Sequence, residues 1–284
     1  MKNSVRELIK RRYSCRDYIE RPIGDGERAA LAAALASLDT GPFGNRCRPA
    51  LLASTPDDSA ALKGLGTYGF IKGATGFLLG AVKPGALDME DYGYLLERAV
   101  LEATDLGLGT CWLGGTFTKS SFARKIDAQP DEVVPAVIAA GYPTETSRKH
   151  WLRRGAGSER RLPPDKLFFD EEPQRPLDPG TDGDLAAIVE AVRWAPSASN
   201  KQPWRLIRKD GAWHFYLART KGYGKGPLTS LIKTADLQRV DMGIAMCHFE
   251  LAAREAGSEG RWVTDRPLAE NTAAGWEFTA SWVI

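Results

Sequence analysis

Apolar positions along this 284-residue chain fall into short blocks of two different periods. Val5, Leu8 and Ile9 recur at helical spacing and predict a short helix over 4–12. Ser4, with Glu7 three residues on, has the form of a capping box for it. Residues 25–38 are rich in Ala and Leu and predict a second helix, stopped by Asp39-Thr40-Gly41-Pro42. Residues 50–54 read as a strand, and the run 76–82 as one buried on both faces. The longest helix is expected over 88–106, where Leu95, Leu96, Ala99, Val100, Ala103 and Leu106 make a wide apolar face and Gly107 supplies the C-cap. A strand over 108–115 breaks at a glycine pair, a helix follows over 119–126, and a strand over 133–140.

The stretch 144–179 is rich in Arg, Glu, Pro and Asp and predicts an arm, with Leu167-Phe168-Phe169 as the part that packs. The pattern then restarts. Residues 185–194 form an amphipathic helix halted at Pro196. Alternating runs at 204–208 and 213–217 flank Lys209-Asp210-Gly211, a hairpin signal. Residues 236–256 predict a second long helix, followed by strands at 261–263 and 278–283.

Asp91-Tyr92-Gly93 through Gly107 to Trp112 matches Asp241-Met242-Gly243 through Gly257 to Trp262 at an offset of 150 residues. Pro42 to Pro49 and Pro196 to Pro203 correspond at nearly the same offset, which favours a tandem duplication over coincidence. The expected organisation is a first unit over 1–165, an arm over 166–183 and a second unit over 184–284.

Composition adds little to this and mainly excludes. The hydrophobic fraction of 43% and charged fraction of 26% are those of a globular protein. A net charge of +2 gives no general affinity for nucleic acid or acidic membrane. Basic residues nonetheless cluster at 11–21 and 148–161, as solvated faces or as local anion sites. Cys15, Cys47, Cys111 and Cys247 form no CxxC pair, and three histidines (His150, His214, His248) are scattered. Neither a zinc site nor a catalytic triad is expected, and buried free thiols suit a cytoplasmic protein. No signal peptide and no membrane span are read.

Two segments carry candidate chemistry. Arg12, Ser14 and Arg16 alternate after the first helix; extended, they turn two guanidinium forks and a hydroxyl toward one anion. A basic end complementing the helix dipole is the competing reading. Arg160 and Arg161 are placed to close over the same anion. Pro196-Ser197-Ala198-Ser199-Asn200-Lys201-Gln202-Pro203-Trp204 combines a helix stop, small residues and two amides. It suits the edge of a polar heterocycle, or an ordinary helix-to-strand connection. Leu113-Gly114-Gly115 offers bare backbone to a flat ring, or a tight turn. Gly107-x-Gly109 follows a helix and is no dinucleotide fingerprint. Without an acid–base apparatus, the reactivity falls to a cofactor.

At these residues the chain resembles the nitroreductase family of FMN-dependent oxidoreductases. Arg12-x-Ser14-x-Arg16 is similar to its phosphate motif, and Pro196-Ser197-x-x-Asn200-x-Gln202-Pro203-Trp204 to its Pro-Ser-x-x-Asn-x-Gln-Pro-Trp motif. Residues 107–115 resemble the segment beside the isoalloxazine, and Arg160-Arg161-Leu162-Pro163 the late basic motif. The resemblance implies an α+β nitroreductase-like fold. Two tandem α/β half-units would form an internal pseudo-dimer, with a mixed or antiparallel sheet in each half.

It also implies ping-pong hydride transfer from NADH or NADPH, through FMN, to a small aromatic or quinone-like acceptor. No catalytic side chain or metal is implied. Arg12, Ser14, Arg16 and Arg161 are implied to hold the phosphate, with Arg160 beside them. Ser197 and Asn200, with Pro196, Ala198 and Gln202 in their loop, meet the ring edge or ribityl chain. Leu113, Gly114 and Gly115 lie by the ring, and Lys72 near its N1–O2 edge. The first half has Gly41-Pro42-Phe43-Gly44-Asn45 where a Pro-Ser-x-x-Asn loop belongs, and the second half has no Arg-x-Ser-x-Arg. One composite FMN site per chain follows, with Phe43 a plug of the vacant pseudo-site or a wall of the real one. A monomer suffices for such a site, and further dimerisation stays open. The alternatives are a non-catalytic flavin-sequestering or regulatory protein, and a binder of another phosphate ligand.

Overall fold

A computed structural model describes residues 1–58, 60–149, 160–180, 182–223, 235–265 and 275–284. His150 lies outside them. The first half contains helices α1 (Val5–Arg11), α2 (Asp25–Ala36), α3 (Asp88–Asp105) and α4 (Lys119–Lys125). Its strands are β1 (Cys47–Ala53), β2 (Gly76–Val82), β3 (Gly109–Leu113) and β4 (Val137–Gly141). After the arm come α5 (Asp184–Arg193) and α6 (Leu237–Glu255), with β5 (Phe168–Asp170), β6 (Trp204–Lys209), β7 (Ala212–Leu217), β8 (Arg261–Val263) and β9 (Glu277–Val283).

Each half builds its own sheet. The first is antiparallel, in the order β1-β2-β4-β3. The second, β5-β6-β7-β9-β8, is antiparallel except for β5, which runs parallel to β6. The arm therefore does more than connect, because Phe168 to Asp170 extend the second sheet and Leu167 and Phe168 are buried in the core. The predicted hairpin joins β6 to β7, with Asp210 and Gly211 both at positive φ, the geometry of a two-residue turn that follows strand twist.

Helices α3 and α6 cross at the centre, α3 against the first sheet and α6 against the second. A single apolar core runs through both halves by way of Leu96, Val100, Met242 and Met246. A second cluster fills the outer face of the first sheet, where Phe77 meets Phe122 edge-on under α4. At the helix crossing, a Cβ on Gly93 would overlap the Val240 carbonyl, and one on Gly243 would overlap the Glu90 carbonyl. The contact is reciprocal: each glycine meets the backbone three residues before its counterpart in the repeat. Two helices crossing about a local twofold axis give such a contact.

One local expectation is corrected. Ser4 does not close a capping box on α1, since its side chain caps no backbone N–H. Glu255, the last residue of α6, takes over instead, accepting from Val5 N at 2.7 Å, Arg6 N at 3.2 Å and the Ser4 hydroxyl at 3.1 Å. A full carboxylate is the stronger acceptor at a positive helix terminus, and it ties the first helix to the last. All four cysteines are buried and unpaired.

Candidate functional site

A cavity of about 940 Å³ opens between the halves. One wall comes from Ser14, Arg16 and Leu113 to Thr116, and the facing wall from Pro196 to Asn200. The first turns of α6 (Leu237, Gln238, Val240, Asp241 and Ile244) and the segment 219–223 complete it. Segments about 180 residues apart in the chain thus share one space, because each hangs from its own half and the halves meet at α3 and α6.

Ser14 is held at the edge of the first sheet. It bridges to Thr110, and Cys15 N donates to Thr110 O at 2.8 Å, so the post-helix segment runs alongside β3. Lys72 N in turn donates to Arg16 O at 2.9 Å. This extended run brings Ser14 and Arg16 to the cavity but not Arg12. The Arg12 guanidinium is buried, with Nε 3.8 Å from Glu97 Oε1. Glu97 also accepts from Trp112 Nε1 at 2.7 Å and lies 3.0 Å from His248 Nε2. His248 Nδ1 is 2.9 Å from the Ala191 carbonyl, which can only accept, so Nδ1 carries a proton. This buried group joins α3, α5 and α6 behind the wall to which Trp112 contributes.

The facing loop departs from regular backbone. Ser199, Asn200 and Gln202 all have positive φ, near 50°. Each such non-glycine residue costs of order 1–3 kcal/mol and persists only where its neighbours fix it. Here they do. Gln202 N donates to Ser197 Oγ at 2.9 Å. Ala198 N donates to both Asp241 oxygens at 3.0 and 3.1 Å. The arm clasps the loop from outside: Arg161 donates to Asn200 Oδ1 at 2.7 Å and to the carbonyls of Ala195 and Trp194. Asn200 Nδ2 donates to Arg160 O at 3.0 Å, and Leu162 N to Gln202 Oε1 at 2.8 Å.

Ser14, Arg16, Leu113, Gly114, Gly115, Arg161, Pro196, Ser197, Ala198 and Asn200 therefore line one cavity. Four expected site residues lie elsewhere. Arg12 sits with Glu97, Lys72 is exposed beside Arg16, Arg160 is exposed and meets the loop through its carbonyl, and Gln202 is buried as a brace of the loop. Phe43 does not line the cavity and packs on the core.

Trp112, Asp241, Tyr223 and Phe70 also line the cavity, and no motif in the sequence marks them as doing so. Asp241 belongs to the repeated Asp-x-Gly, whose place on the inner turn of a long helix is its one sequence signal. Burial pushes the Asp241 carboxyl well above the usual carboxylate range, with the Ala198 N–H acting the other way. Burial also pushes the Tyr223 phenol up to about 12, opposed by its hydrogen bond to Ser199. The lining carries Arg16, Arg161, Arg219 and Lys221 against two acids, and of these Asp236 is paired with Arg219 and Asp241 is engaged by Ala198 N. The space therefore favours an anionic ligand.

Among the described residues, no group of three or more His, Cys, Asp or Glu could hold a metal ion, and no helix is long and apolar enough to cross a membrane.

A family model described as "Putative TM nitroreductase" matches residues 4–253. Among solved structures, a "putative nitroreductase" from Thermotoga maritima superposes at a TM-score of 0.61 with 21% identity, covering 100% of this chain and 94% of that one. A "putative nitroreductase in complex with FMN" from Desulfovibrio desulfuricans is 24% identical over 52% of this chain and 90% of its own, at a TM-score of 0.39. A "nitroreductase with bound FMN" from Bacteroides fragilis is 21% identical over 51% of this chain and 90% of its own, at 0.38. No curated protein matches the chain.

Proposed function

The chain belongs to the nitroreductase family of that model, and on that premise we propose that it is an FMN-dependent oxidoreductase. It would use NADH or NADPH as reductant and a small aromatic or quinone-like molecule as acceptor. The observation carrying this reading is the single cavity shared by Ser14 and Arg16 with Pro196 to Asn200.

The residues fit the cofactor. The volume of about 940 Å³ lies at the upper end of ordinary ligand pockets, leaving room for a ring system and a second small molecule. Arg16 and the Ser14 hydroxyl are a donor set for a phosphate. Gly114 and Gly115 offer a wall without side chains, and a Cβ at Gly114 would run into Leu237 of the facing helix. The Asn200 amide and the hydroxyls of Ser197 and Ser199 supply polar groups on the opposite side.

FMN, when bound, would supply the redox chemistry between nicotinamide and acceptor. The protein orients and shields. Arg16 neutralises phosphate charge, and the Pro196–Asn200 loop fixes the heterocycle's polar side. Trp112, braced by Glu97, and Leu237 keep the inner wall apolar and limit water. Tyr223, holding its proton at neutral pH, donates to a polar atom of a molecule entering from its side.

The reciprocal seating of Gly93 and Gly243 supports an origin by internal duplication. Four unpaired cysteines fit a reducing cytoplasm. The test is the visible spectrum of the purified protein, followed by anaerobic titration with NADH and NADPH. Flavin absorption bleached by a nicotinamide supports the reading. Flavin that neither nucleotide reduces leaves only a flavin-holding protein, and a colourless protein that takes up no FMN removes the cofactor.

A further inference from the structure

Two aspartates hold equivalent places in the two halves and do equivalent work. Asp91 of α3 accepts from Phe43 N at 3.0 Å, Asn45 N at 2.9 Å and Asn45 Nδ2 at 2.8 Å. Asp241 of α6, 150 residues later, accepts from Ala198 N with both oxygens. Each carboxylate reaches from the inner turn of a central helix to the loop that follows a Pro in its own half. Both are nearly inaccessible, at 1% and 3% exposure. The halves differ in what the loop faces. Residues 41–45 and Asp91 contribute nothing to the cavity, whereas Asp241 and Pro196 to Asn200 all line it.

The braces around Asn200 come from the arm, whereas Asp241 holds the start of the turn from within. Ala198 opens the turn containing left-handed Ser199 and Asn200. A carboxylate on its N–H fixes where that turn begins, and hence where the Ser197, Ser199 and Asn200 side chains emerge. Without it, the backbone N–H is left in a wall of low dielectric, and the strained residues lose a restraint.

We infer that Asp241 is the positioning residue for the ligand-facing loop, and that Asp91 is its counterpart in a half whose loop no longer serves a site. The effect on FMN rests on the function proposed above; the effect on the loop does not.

The test compares Asp241→Ala, Asp241→Asn and Asp91→Ala in the full chain. Two quantities are read: hydrogen exchange of residues 195–203 without added ligand, and FMN affinity by quenching of flavin fluorescence. Asp241→Ala is expected to expose the loop amides to rapid exchange and to weaken FMN about tenfold or more, the scale of losing a hydrogen bond to a charged group. Asp241→Asn keeps an acceptor for Ala198 N and stays within about threefold of wild type. Asp91→Ala loosens 41–45 but leaves 195–203 and FMN affinity as in wild type.

If Asp241→Ala does not fold, Ala198→Pro deletes the same bond from the loop side. Proline is tolerated there because Ser197 is extended (φ −145°, ψ 155°), and the same two changes are expected. Unchanged protection of 195–203 in these variants overturns the inference, as does an Asp91→Ala protein that loses FMN as strongly as Asp241→Ala. Wild-type protein that binds no FMN, with the exchange result as expected, overturns the cofactor and leaves the positioning role standing.

Discussion

Gly93 and Gly243 are each seated on the main chain of the other's helix, one against Val240 and the other against Glu90. No side chain fits at either point, so the two long helices approach to backbone contact. Val240 and Ile244, on the same turns, line the cavity. The seating of α6 on α3 thereby fixes where the Val240 and Ile244 side chains stand in the cavity wall.

Replacing either glycine with alanine should push the helices apart. The obstruction is backbone, which cannot rotate away, so each substitution is expected to cost about 1–3 kcal/mol or more. Because the contacts are reciprocal, Gly93→Ala and Gly243→Ala should shift the urea midpoint by similar amounts. A wild-type midpoint for either would show that the crossing is looser than described.

Arg12 and Arg16 lie four positions apart in different surroundings, and their alanine variants should fail differently. Arg16→Ala removes a cavity cation and is expected to weaken FMN binding by about 1.5–3 kcal/mol, with little effect on stability. Arg12→Ala leaves the buried Glu97 short of its cationic neighbour and is expected to destabilise the fold by about 3–5 kcal/mol. Paired FMN titrations and denaturation curves check both. Equal losses of affinity without loss of stability would place Arg12 at the ligand instead.

Much of this arrangement is legible in the sequence because local signals agree with one another. The 76–82 run, the 88–106 face and the Asp210-Gly211 turn each specify an element through period, capping or φ preference, and β2, α3 and the hairpin form there. The motifs at Arg12 to Arg16 and Pro196 to Trp204 mark the segments that meet. The division of roles inside them is not legible. Arg12 and Arg16 have the same chemistry and alternate in phase; only the position of Glu97 on α3 separates them. Gln202 carries an amide suited to a ligand, but Leu162 N reaches it first. Asp241 is invisible as a site residue because its partner is a backbone N–H 43 residues away. The Ser4 capping box fails for the same reason, since Glu255 arrives from the far end of the fold.

The acid sensitivity of one surface pair can be stated with its sign. Arg48 binds Glu132 through two contacts, Nε–Oε1 at 2.8 Å and Nη2–Oε2 at 2.6 Å. Those bonds hold the Glu132 carboxyl down to about 2. A depressed carboxyl contributes stability above its unfolded value of about 4.3 and loses it as pH falls toward the folded value. Solvent reaches the pair from the Arg48 side, 48% exposed against 6% for Glu132, and screening there limits its worth to about 0.2–1 kcal/mol. Arg48→Ala should therefore be slightly less stable than wild type at pH 7, and the gap should close between about pH 4.3 and pH 2. A constant gap in urea midpoints from pH 7 to pH 2.5 would refute the linkage.

The thiols are expected to be inert in the folded protein. Burial pushes Cys15 up to about 11 and Cys47 up to about 12, and raises Cys111 and Cys247 as well. The thiolate is the nucleophile, so iodoacetamide at pH 8 should label none of the four before unfolding and all four after it. Fast labelling of Cys111, which lies against Ser14 at the cavity wall, would show that the wall opens.

The central claim is one ligand site per chain, built from both halves. Its most direct test is calorimetric titration of FMN into the flavin-free protein, in wild type and in Arg16→Ala and Asn200→Ala. One FMN per chain is expected, bound more weakly in each variant although the two residues belong to opposite halves. Two FMN per chain, or wild-type affinity in both variants, would contradict it.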